Sequence, residues 1–283
     1  MPISLSIEDS KGETKALAIH DSQACLAYSS RYKDGDKIRV SSEKPALVIV
    51  QLEETAPPAF GYLKGSFAFP IPFGAEKATY SPKSFTGNSH RIWAKIAQPH
   101  EVARLKNLAL NPYDNHGNAT FFPHAQANVE TRGEAQFAAR NAVNGNASPG
   151  AHGNWPYESW GIGKKDDAEL VISFGRPVYI SQLVVTIRSD FPHDNWWKEV
   201  TFSFSDESSE TVSLAKTGAP QAFSIEPRVT EWVSFNTLIK DESDPSPYPA
   251  LLQLEAWGTE PPKILPEEAK EPKEPKEPKE PKE

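Results

Sequence analysis

Short runs of alternating apolar residues recur along this chain, and clusters of proline and glycine separate them. One run carries Leu183, Val185 and Ile187, and a second occupies residues 200–204. Apolar side chains at every second position predict strands with one buried face. The 26 prolines and 16 glycines interrupt helices and supply turns, so the pattern predicts an all-β protein.

The strand pattern divides into two sets, and 283 residues are enough for two domains of ordinary size. Residues 1–110 predict an N-terminal β-sandwich-like domain, and residues 125–259 predict a second β-sandwich, a jelly roll. Residues 111–124 are rich in turn formers and predict a connector. Repeats of Glu, Pro and Lys in residues 260–283 offer too little apolar surface to fold, so they predict a disordered tail.

Local signals predict individual elements. Asp34-Gly35 between two strand patterns favours a β-hairpin, and residues 61–69 are typical of one strand. Residues 99–106 predict a helix that begins at a proline and carries an acidic residue in its first turn. Residues 132–143 predict a short helix or turn. Cys25 lies in an alternating apolar segment and is expected to be buried.

Composition excludes several classes of function. The formal net charge of −8 argues against nucleic-acid binding, because no basic surplus displaces counterions from phosphates. No apolar run approaches the length that crosses a bilayer. A single cysteine excludes an internal disulfide and cysteine-based zinc clusters. The N-terminus lacks the features of a signal peptide, which predicts a cytoplasmic protein; a secreted or cell-surface protein with a trimmed leader is the alternative.

One loop combines aromatic and polar side chains in a way that suits a sugar. Residues 188–198 connect two predicted strands and contain the adjacent pair Trp196 and Trp197, preceded by His193 and Asp194. Two neighbouring residues of an extended segment point to opposite faces, so one indole is expected to face solvent or a ligand. An indole can stack on a sugar ring while polar groups bind its hydroxyls. The alternative is that both indoles cap the core and the charged residues are solvated.

Two further segments supply similar side chains. The loop at residues 152–157 contains Asn154 and Trp155, and Tyr248 precedes the last predicted strand. Trp160 and Trp257 are assigned to the core. We expect aromatic stacking to give affinity, and His193, Asp194 and Asn154 to recognise the hydroxyl pattern. The predicted ligand-binding residues are Asn154, Trp155, His193, Asp194, Trp196, Trp197 and Tyr248.

The order of motifs in the second unit resembles a known family. The motifs are the segments at residues 138–145, 168–175, 178–185 and 252–258, with Trp155 and Trp160 between the first two. Together they resemble the galactose-binding-like, discoidin (coagulation factor type C) modules, many of which are carbohydrate-binding modules. The resemblance implies an eight-stranded jelly roll without catalysis that holds a glycan in loops at one end. Residues 1–110 resemble no family that we can place.

The resemblance also implies a structural Ca²⁺ between an early loop and the last strand. The matching positions are Asn144, Asn146 and Glu255. The family usually has Asp where this chain has Asn144, and Ca²⁺ binds more weakly with each lost carboxylate. The alternative is that Asn144-Gly145 is simply a turn.

No motif of an enzyme stands out. Asp190 and Asp194 form a conceivable carboxylate pair for glycoside hydrolysis, but two Asp in one loop are common. The seven His show no HxH or HExxH spacing, and no nucleophile elbow occurs. The sequence therefore predicts a non-catalytic protein whose partner is a carbohydrate. The alternatives are a structural or protein–protein interaction module that uses the same loop end, and an enzyme with its site in the N-terminal unit.

Overall fold

The computed structural model describes residues 2–189 and 195–261. Over these ranges the chain is mostly β-strand and has two hydrophobic cores. The predicted all-β class with two β-sandwiches is confirmed. The tail of residues 262–283, for which the sequence predicts disorder, lies outside the described residues, as does most of the loop that carries His193 and Asp194.

The N-terminal unit is a sandwich of two antiparallel sheets. One sheet has the order β2-β1-β4-β7, and the other has the order β10-β6-β5-β8-β3. Alternation places apolar side chains between the sheets, as in β3, where every second residue is buried. The strands before residue 98 are β1 (Ile3–Glu8), β2 (Thr14–His20), β3 (Gln23–Tyr28), β4 (Lys37–Ser42), β5 (Ala46–Gln51), β6 (Ala59–Leu63), β7 (Ser66–Pro70) and β8 (His90–Ile96).

Three local predictions in this unit are wrong, and one strand was not predicted. Asp34-Gly35 forms a turn but not a hairpin, because β3 and β4 belong to different sheets. Residues 61–69 form parts of two strands, β6 and β7, that also lie in different sheets. Strand β2 lacks a clear apolar face, since most of its residues are exposed at a sheet edge, and the alternation pattern missed it. Cys25 is exposed, because it occupies an outward position of β3.

The segment between the two cores is packed into both of them. After the short helix α1 (Pro99–Ala103), which confirms the predicted helix start, β9 (Lys106–Asn107) pairs with the last strand of the chain. Leu108 then enters the C-terminal core, whereas Tyr113 lies in the N-terminal core. Strand β10 (Phe121–Phe122) pairs with β6. The two units are therefore joined by a folded segment rather than by a loose linker.

The C-terminal unit is built around two long antiparallel strands. The strand order is β12-β17-β13-β16-β14-β15, and β11 also pairs with β13. The pairing of β13 with β16 shifts register between Ser173 and Val178, around Gly175, whose φ is 67°. Such breaks bend long strands around a core. The strands are β11 (His124–Ala127), β12 (Trp160–Gly161), β13 (Leu170–Arg188), β14 (Trp197–Phe204), β15 (Ser209–Ser213), β16 (Gln221–Lys240) and β17 (Ala250–Thr259).

Short 3₁₀ turns at Thr131–Gly133, Ala135–Phe137 and Ala139–Val143 lie where the sequence predicts a short helix or turn. They close one end of the C-terminal core. Gly161 of β12 permits this packing, because a Cβ there would lie 2.7 Å from Thr131 Oγ1 and 3.2 Å from Phe137. In the part of the chain that the structure describes, no helix has the length and apolar character to cross a membrane.

Candidate functional site

The side chains at one end of the C-terminal sandwich enclose a small pocket of about 130 Å³. We call it the loop pocket. Its lining is mostly apolar and includes two Arg and one His, and it brings together Thr131, Arg132, Phe137, His152, Gly161, Ile162, Gly163, Arg188, Tyr248, Pro249 and Ala250.

Strand pairing places two of these side chains. Arg188 is the last residue of β13 and lies opposite Ala250, the first residue of β17. Tyr248 precedes that residue by two positions and is 41% exposed. Arg188 is buried, with Nη1 3.5 Å from Ser159 Oγ. The pairing thus sets a buried guanidinium and an exposed phenol ring at the same pocket.

The 3₁₀ turns provide the opposite wall. Arg132 has a positive φ of 55°, and its Nε and Nη2 donate to the two carboxylate oxygens of Glu134 at 2.6 and 2.7 Å. The guanidinium also lies 5.4 Å from the centre of the Phe137 ring. Thr131 Oγ1 accepts a hydrogen bond from the Gly163 backbone at 2.9 Å, which ties this wall to the segment after β12.

Trp197 lies in the core and does not face a ligand. It is fully buried, and its ring centre is 5.6 Å from that of Phe235 and 6.4 Å from that of Trp160. The prediction that its indole stacks on a sugar is wrong. A register shift in the pairing of β14 with β16 follows Trp197, so simple alternation from the apolar run does not describe this strand end.

Trp196 is half-buried and packs against the edge of the same core. Its backbone N–H is bonded to Asn195 Oδ1 at 2.6 Å. The Asn195 amide in turn donates to the Asp241, Asp244 and Ser246 carbonyls. This network fixes the loop before Tyr248, and a ligand contact of the Trp196 indole stays a prediction.

Trp155 and Asn154 lie away from the loop pocket. Trp155 is 40% exposed and borders a second cavity, between the two units. Its backbone N–H donates to the Ala78 carbonyl of the N-terminal unit at 2.7 Å. Asn154 Oδ1 accepts a hydrogen bond from Gln136 Nε2 at 2.9 Å. The predicted platform is therefore divided, with Tyr248 at one cavity and Trp155 at the other.

Sequence reasoning did not include Arg132, Phe137 or Arg188 in the site. No local sequence pattern links these residues, because Arg132 and Phe137 lie about fifty residues before Arg188 in the chain. Only the packing of the 3₁₀ turns onto β12 brings them to the strand end. Arg188 could have been found from the sequence, because it is the polar residue that ends the apolar run of residues 183–187.

The side chain of Gln253 dominates the loop where the resemblance implies Ca²⁺. Its Nε2 has four oxygen atoms within 2.6–2.9 Å, and its Oε1 accepts from the Gly145 backbone at 2.9 Å. The four oxygens are Asn141 O, Asn144 Oδ1, Asn146 O and Leu252 O.

These residues do not fit a Ca²⁺ ion as they are placed. Ca²⁺ binds six to eight oxygens at about 2.3–2.6 Å, whereas a nitrogen occupies the centre of this group. Glu255 Oε2 instead accepts from Trp257 Nε1 at 2.7 Å, and Trp257 is only half-buried rather than a core residue. Among the described residues, no three His, Cys, Asp or Glu side chains form a group that could hold a metal.

One buried imidazole–carboxylate pair resembles part of a catalytic site. His124 Nδ1 lies 2.7 Å from Asp114 Oδ1, and both residues are buried. Asp114 also accepts from the Ala125 backbone and from Asn118 Nδ2, each at 2.8 Å. These bonds order the connector between the units, which accounts for the pair without a reaction.

Comparison with known proteins finds no matching family model and no matching curated protein. Solved structures that resemble part of this chain include chitosan-binding module 1 from a chitosanase/glucanase of Paenibacillus sp. IK-5. It is 17% identical, with a TM-score of 0.37, over 54% of this chain and 99% of that one.

Two further structures are similar over about half of this chain. The family 32 carbohydrate-binding module of C. perfringens NanJ, solved with galactose, is 15% identical over 47% of this chain and 91% of that one, with a TM-score of 0.36. A fucose-binding module of Streptococcus pneumoniae is 13% identical over 53% and 96%, with a TM-score of 0.37.

Proposed function

We propose that this protein binds a carbohydrate, without catalysis, in the loop pocket of its C-terminal sandwich. The observation that carries this proposal is the composition of the pocket. Its lining is mostly apolar, with aromatic and aliphatic side chains, and it also includes two guanidinium groups and an imidazole. A sugar has the matching character, with apolar C–H faces and a ring of hydroxyls.

Tyr248 is the aromatic side chain best placed to stack on the sugar. It is exposed, and Lys164 Nζ lies 5.0 Å from the centre of its ring. A tyrosine ring offers apolar contact area while its hydroxyl remains available for hydrogen bonding. In this proposal Tyr248 takes the role that the sequence prediction gave to Trp197.

The charged side chains account for recognition of hydroxyls. A guanidinium presents several N–H donors in a rigid plane, and Arg188 lies at the pocket with its orientation set by burial. Arg132 is held by Glu134 in a bidentate pair. His152 is exposed at the edge, and an imidazole nitrogen can donate to or accept from a hydroxyl. His193 and Asp194 remain proposed contributors.

The size of the pocket limits the ligand. A volume of about 130 Å³ is well below the roughly 300–1,000 Å³ of pockets for drug-sized molecules. One sugar unit or the end of a chain therefore fits better than a long segment. A shallow site buries little of its ligand, so weak binding is expected.

We also propose that Gln253, rather than a Ca²⁺ ion, stabilises the loop at residues 141–146. Its amide already supplies the donor that the surrounding carbonyl oxygens need. Addition of Ca²⁺ or of a chelator should leave the melting temperature unchanged. A rise in melting temperature that saturates with Ca²⁺ would contradict this proposal.

A glycan array followed by calorimetry tests the main proposal. We expect at least one glycan to bind the wild-type protein and to bind Tyr248→Ala less tightly. Val229→Ala is the matched control, since Val229 is an exposed apolar residue of β16 away from the pocket. Absence of binding to every glycan, with capture of a protein partner that Tyr248→Ala abolishes, would favour the interaction-module alternative.

A further inference from the structure

The second cavity, of about 200 Å³, lies between the two units. We call it the interdomain cleft. The N-terminal unit contributes Tyr80 and Ser81 to its lining, and the C-terminal unit contributes Arg140, Trp155 and Glu158. None of these residues lines the loop pocket, so the cleft is a separate place on the molecule.

Glu158 is the unusual group in the cleft. It is 1% exposed, and its Oε1 accepts from Asn144 Nδ2 at 3.1 Å and from Asn146 Nδ2 at 2.8 Å. Its Oε2 is buried and has no hydrogen-bond partner among the described residues. Nearly all buried polar atoms in proteins have a partner, so this oxygen can accept a further hydrogen bond from a donor that enters the cleft.

Arg140 supplies the opposite charge. Its guanidinium donates to the Asp114 carbonyl at 2.8 Å, the Pro112 carbonyl at 3.0 Å and Thr79 Oγ1 at 3.1 Å. Its centre lies 4.6 Å from the centre of the Tyr80 ring. A fourth hydrogen bond goes to Asn141 Oδ1 at 3.3 Å, so all four go to neutral oxygens, and the positive charge of Arg140 acts to lower the pKa of Glu158.

Trp155 gives the cleft an aromatic wall. The indole is 40% exposed, although the Trp155 backbone is tied to Ala78 across the cleft. An exposed indole near polar side chains is the combination that the sequence predicts for the loop of Trp196 and Trp197, but here the two units form it together.

We propose that the interdomain cleft is a second saccharide site, which holds a pyranose ring against Trp155 by two neighbouring hydroxyls. One hydroxyl donates to Glu158 Oε2, and its neighbour accepts from the Arg140 guanidinium. This assignment rests on the proposed function only in that both take the ligand to be a saccharide. The two cavities share no lining residue.

The charges of the cleft favour a neutral ligand. Glu158 and Arg140 carry opposite charges, so the pair has no net charge to attract an ion. A metal cation would meet one carboxylate and a guanidinium that repels it, and a phosphate would meet the carboxylate. Hydroxyl groups both donate and accept, which satisfies both residues at once.

The test uses the full chain labelled with 5-fluorotryptophan, in which each of the seven tryptophans gives a ¹⁹F NMR signal. Trp155→Phe identifies the signal of Trp155. The probes are the methyl α-D-glycosides of glucose, galactose and mannose, and tetrahydropyran is the same ring without hydroxyls. We expect at least one glycoside to shift the Trp155 signal saturably and tetrahydropyran to leave it in place. If no glycoside moves this signal, or tetrahydropyran moves it equally, the proposal is overturned.

Glu158→Gln tests the hydrogen bond itself. The variant retains the shape of the side chain and removes its charge, so glycoside affinity at the Trp155 signal should fall about tenfold. Unchanged affinity in the folded variant would overturn the proposal.

The pH dependence of the wild type gives the same test without a variant. Burial raises the pKa of Glu158, against the opposing effects of Asn146 and Arg140. A hydroxyl that donates to the ionised carboxylate lowers this pKa, so affinity should weaken as the pH falls through the pKa of the free protein. Tyr80 also faces the cleft, and because burial raises its pKa it keeps its proton over this range. Affinity independent of pH would contradict the assignment of Glu158.

Tyr248→Ala separates this proposal from the proposed function. If a glycoside shifts the Trp155 signal equally in this variant and in the wild type, the cleft binds independently. If the variant loses all glycoside binding, the cleft proposal is overturned and the loop pocket stands. If a glycoside shifts the Trp155 signal and Tyr248→Ala also leaves the glycan affinity measured by calorimetry unchanged, the cleft is supported and the loop-pocket assignment fails.

Discussion

The loop pocket and the interdomain cleft combine the same kinds of side chain in opposite environments. In the loop pocket, Tyr248 and Arg132 are exposed to solvent, and Arg132 has a bidentate partner in Glu134. In the cleft, Glu158 and Arg140 are buried, and one oxygen of Glu158 has no hydrogen-bond partner among the described residues. Solvent screens the first set of charges and hardly screens the second. The side chains that line the loop pocket should therefore tolerate substitution and pH change, whereas ligand binding in the cleft should depend on both the identity and the ionisation of Glu158.

The largest effect is expected beneath the loop pocket, at Trp197. Trp197→Ala leaves a cavity in the core and should lower the free energy of unfolding by about 3–5 kcal/mol. Chemical denaturation measures this change, with Tyr248→Ala as the comparison. A fall in the free energy of unfolding below about 1 kcal/mol would mean that Trp197 is a surface residue. It would support the hypothesis that its indole stacks on a sugar.

The next effect is expected at the wall of the cleft. Gln253→Ala removes the donor shared by the Asn141 and Asn146 carbonyls, and unsatisfied buried acceptors cost about 1–3 kcal/mol. We expect a fall of that size in the free energy of unfolding. Gln253→Glu sharpens the test, because a carboxylate in the same place is expected to make stability depend on Ca²⁺. Ca²⁺-dependent stability in the wild type would contradict the role given to Gln253.

A smaller effect is expected for the exposed ring of the loop pocket. Tyr248→Ala should change stability by less than about 0.5 kcal/mol. It should weaken glycan binding roughly 2- to 12-fold, since an aromatic contact contributes about 0.5–1.5 kcal/mol. Calorimetry on the best glycan of the array measures this, with Val229→Ala as control. Equal binding by both variants would remove Tyr248 from the site.

The smallest effect is the pH dependence of stability that Glu158 contributes. Its pKa in the folded protein is raised above the ordinary 4.5 by burial, so the folded state holds the proton more tightly than the unfolded chain does. This contribution to stability is therefore fully present below about pH 4.5 and is lost as the pH rises through the folded pKa. Comparison of wild type with Glu158→Gln by denaturation at several pH values isolates it. If the free energies of unfolding of the two proteins change with pH in parallel, Glu158 makes no such contribution.

Much of the fold could be predicted because alternation is a local property. The apolar runs at residues 183–187 and 200–204 lie in β13 and β14, as predicted, and α1 begins at Pro99, as predicted. The site was harder. Both Tyr248 and Trp197 were predicted to bind the ligand, but Tyr248 lines the loop pocket and Trp197 lies in the core. Alternation along a strand implies that neighbouring side chains point to opposite faces, but it does not show which of the two faces inward.

Partners distant in sequence escaped prediction altogether. Asp34-Gly35 has the composition of a hairpin turn, yet the two strands around it pair with other strands in separate sheets. Gln253 meets the 141–146 loop from more than one hundred residues away. No local pattern indicates such a contact.

The amino-acid sequence by itself determined the β class, the division into two sets of strands and the absence of a cysteine framework, since these follow from composition and short-range periodicity. Only the tertiary structure decided which indole is buried, which polar groups share a cavity and where a carboxylate oxygen lacks a partner. The physical reason is that burial and hydrogen bonding depend on which surfaces meet. In this chain the interdomain cleft forms only where two separately patterned units come into contact.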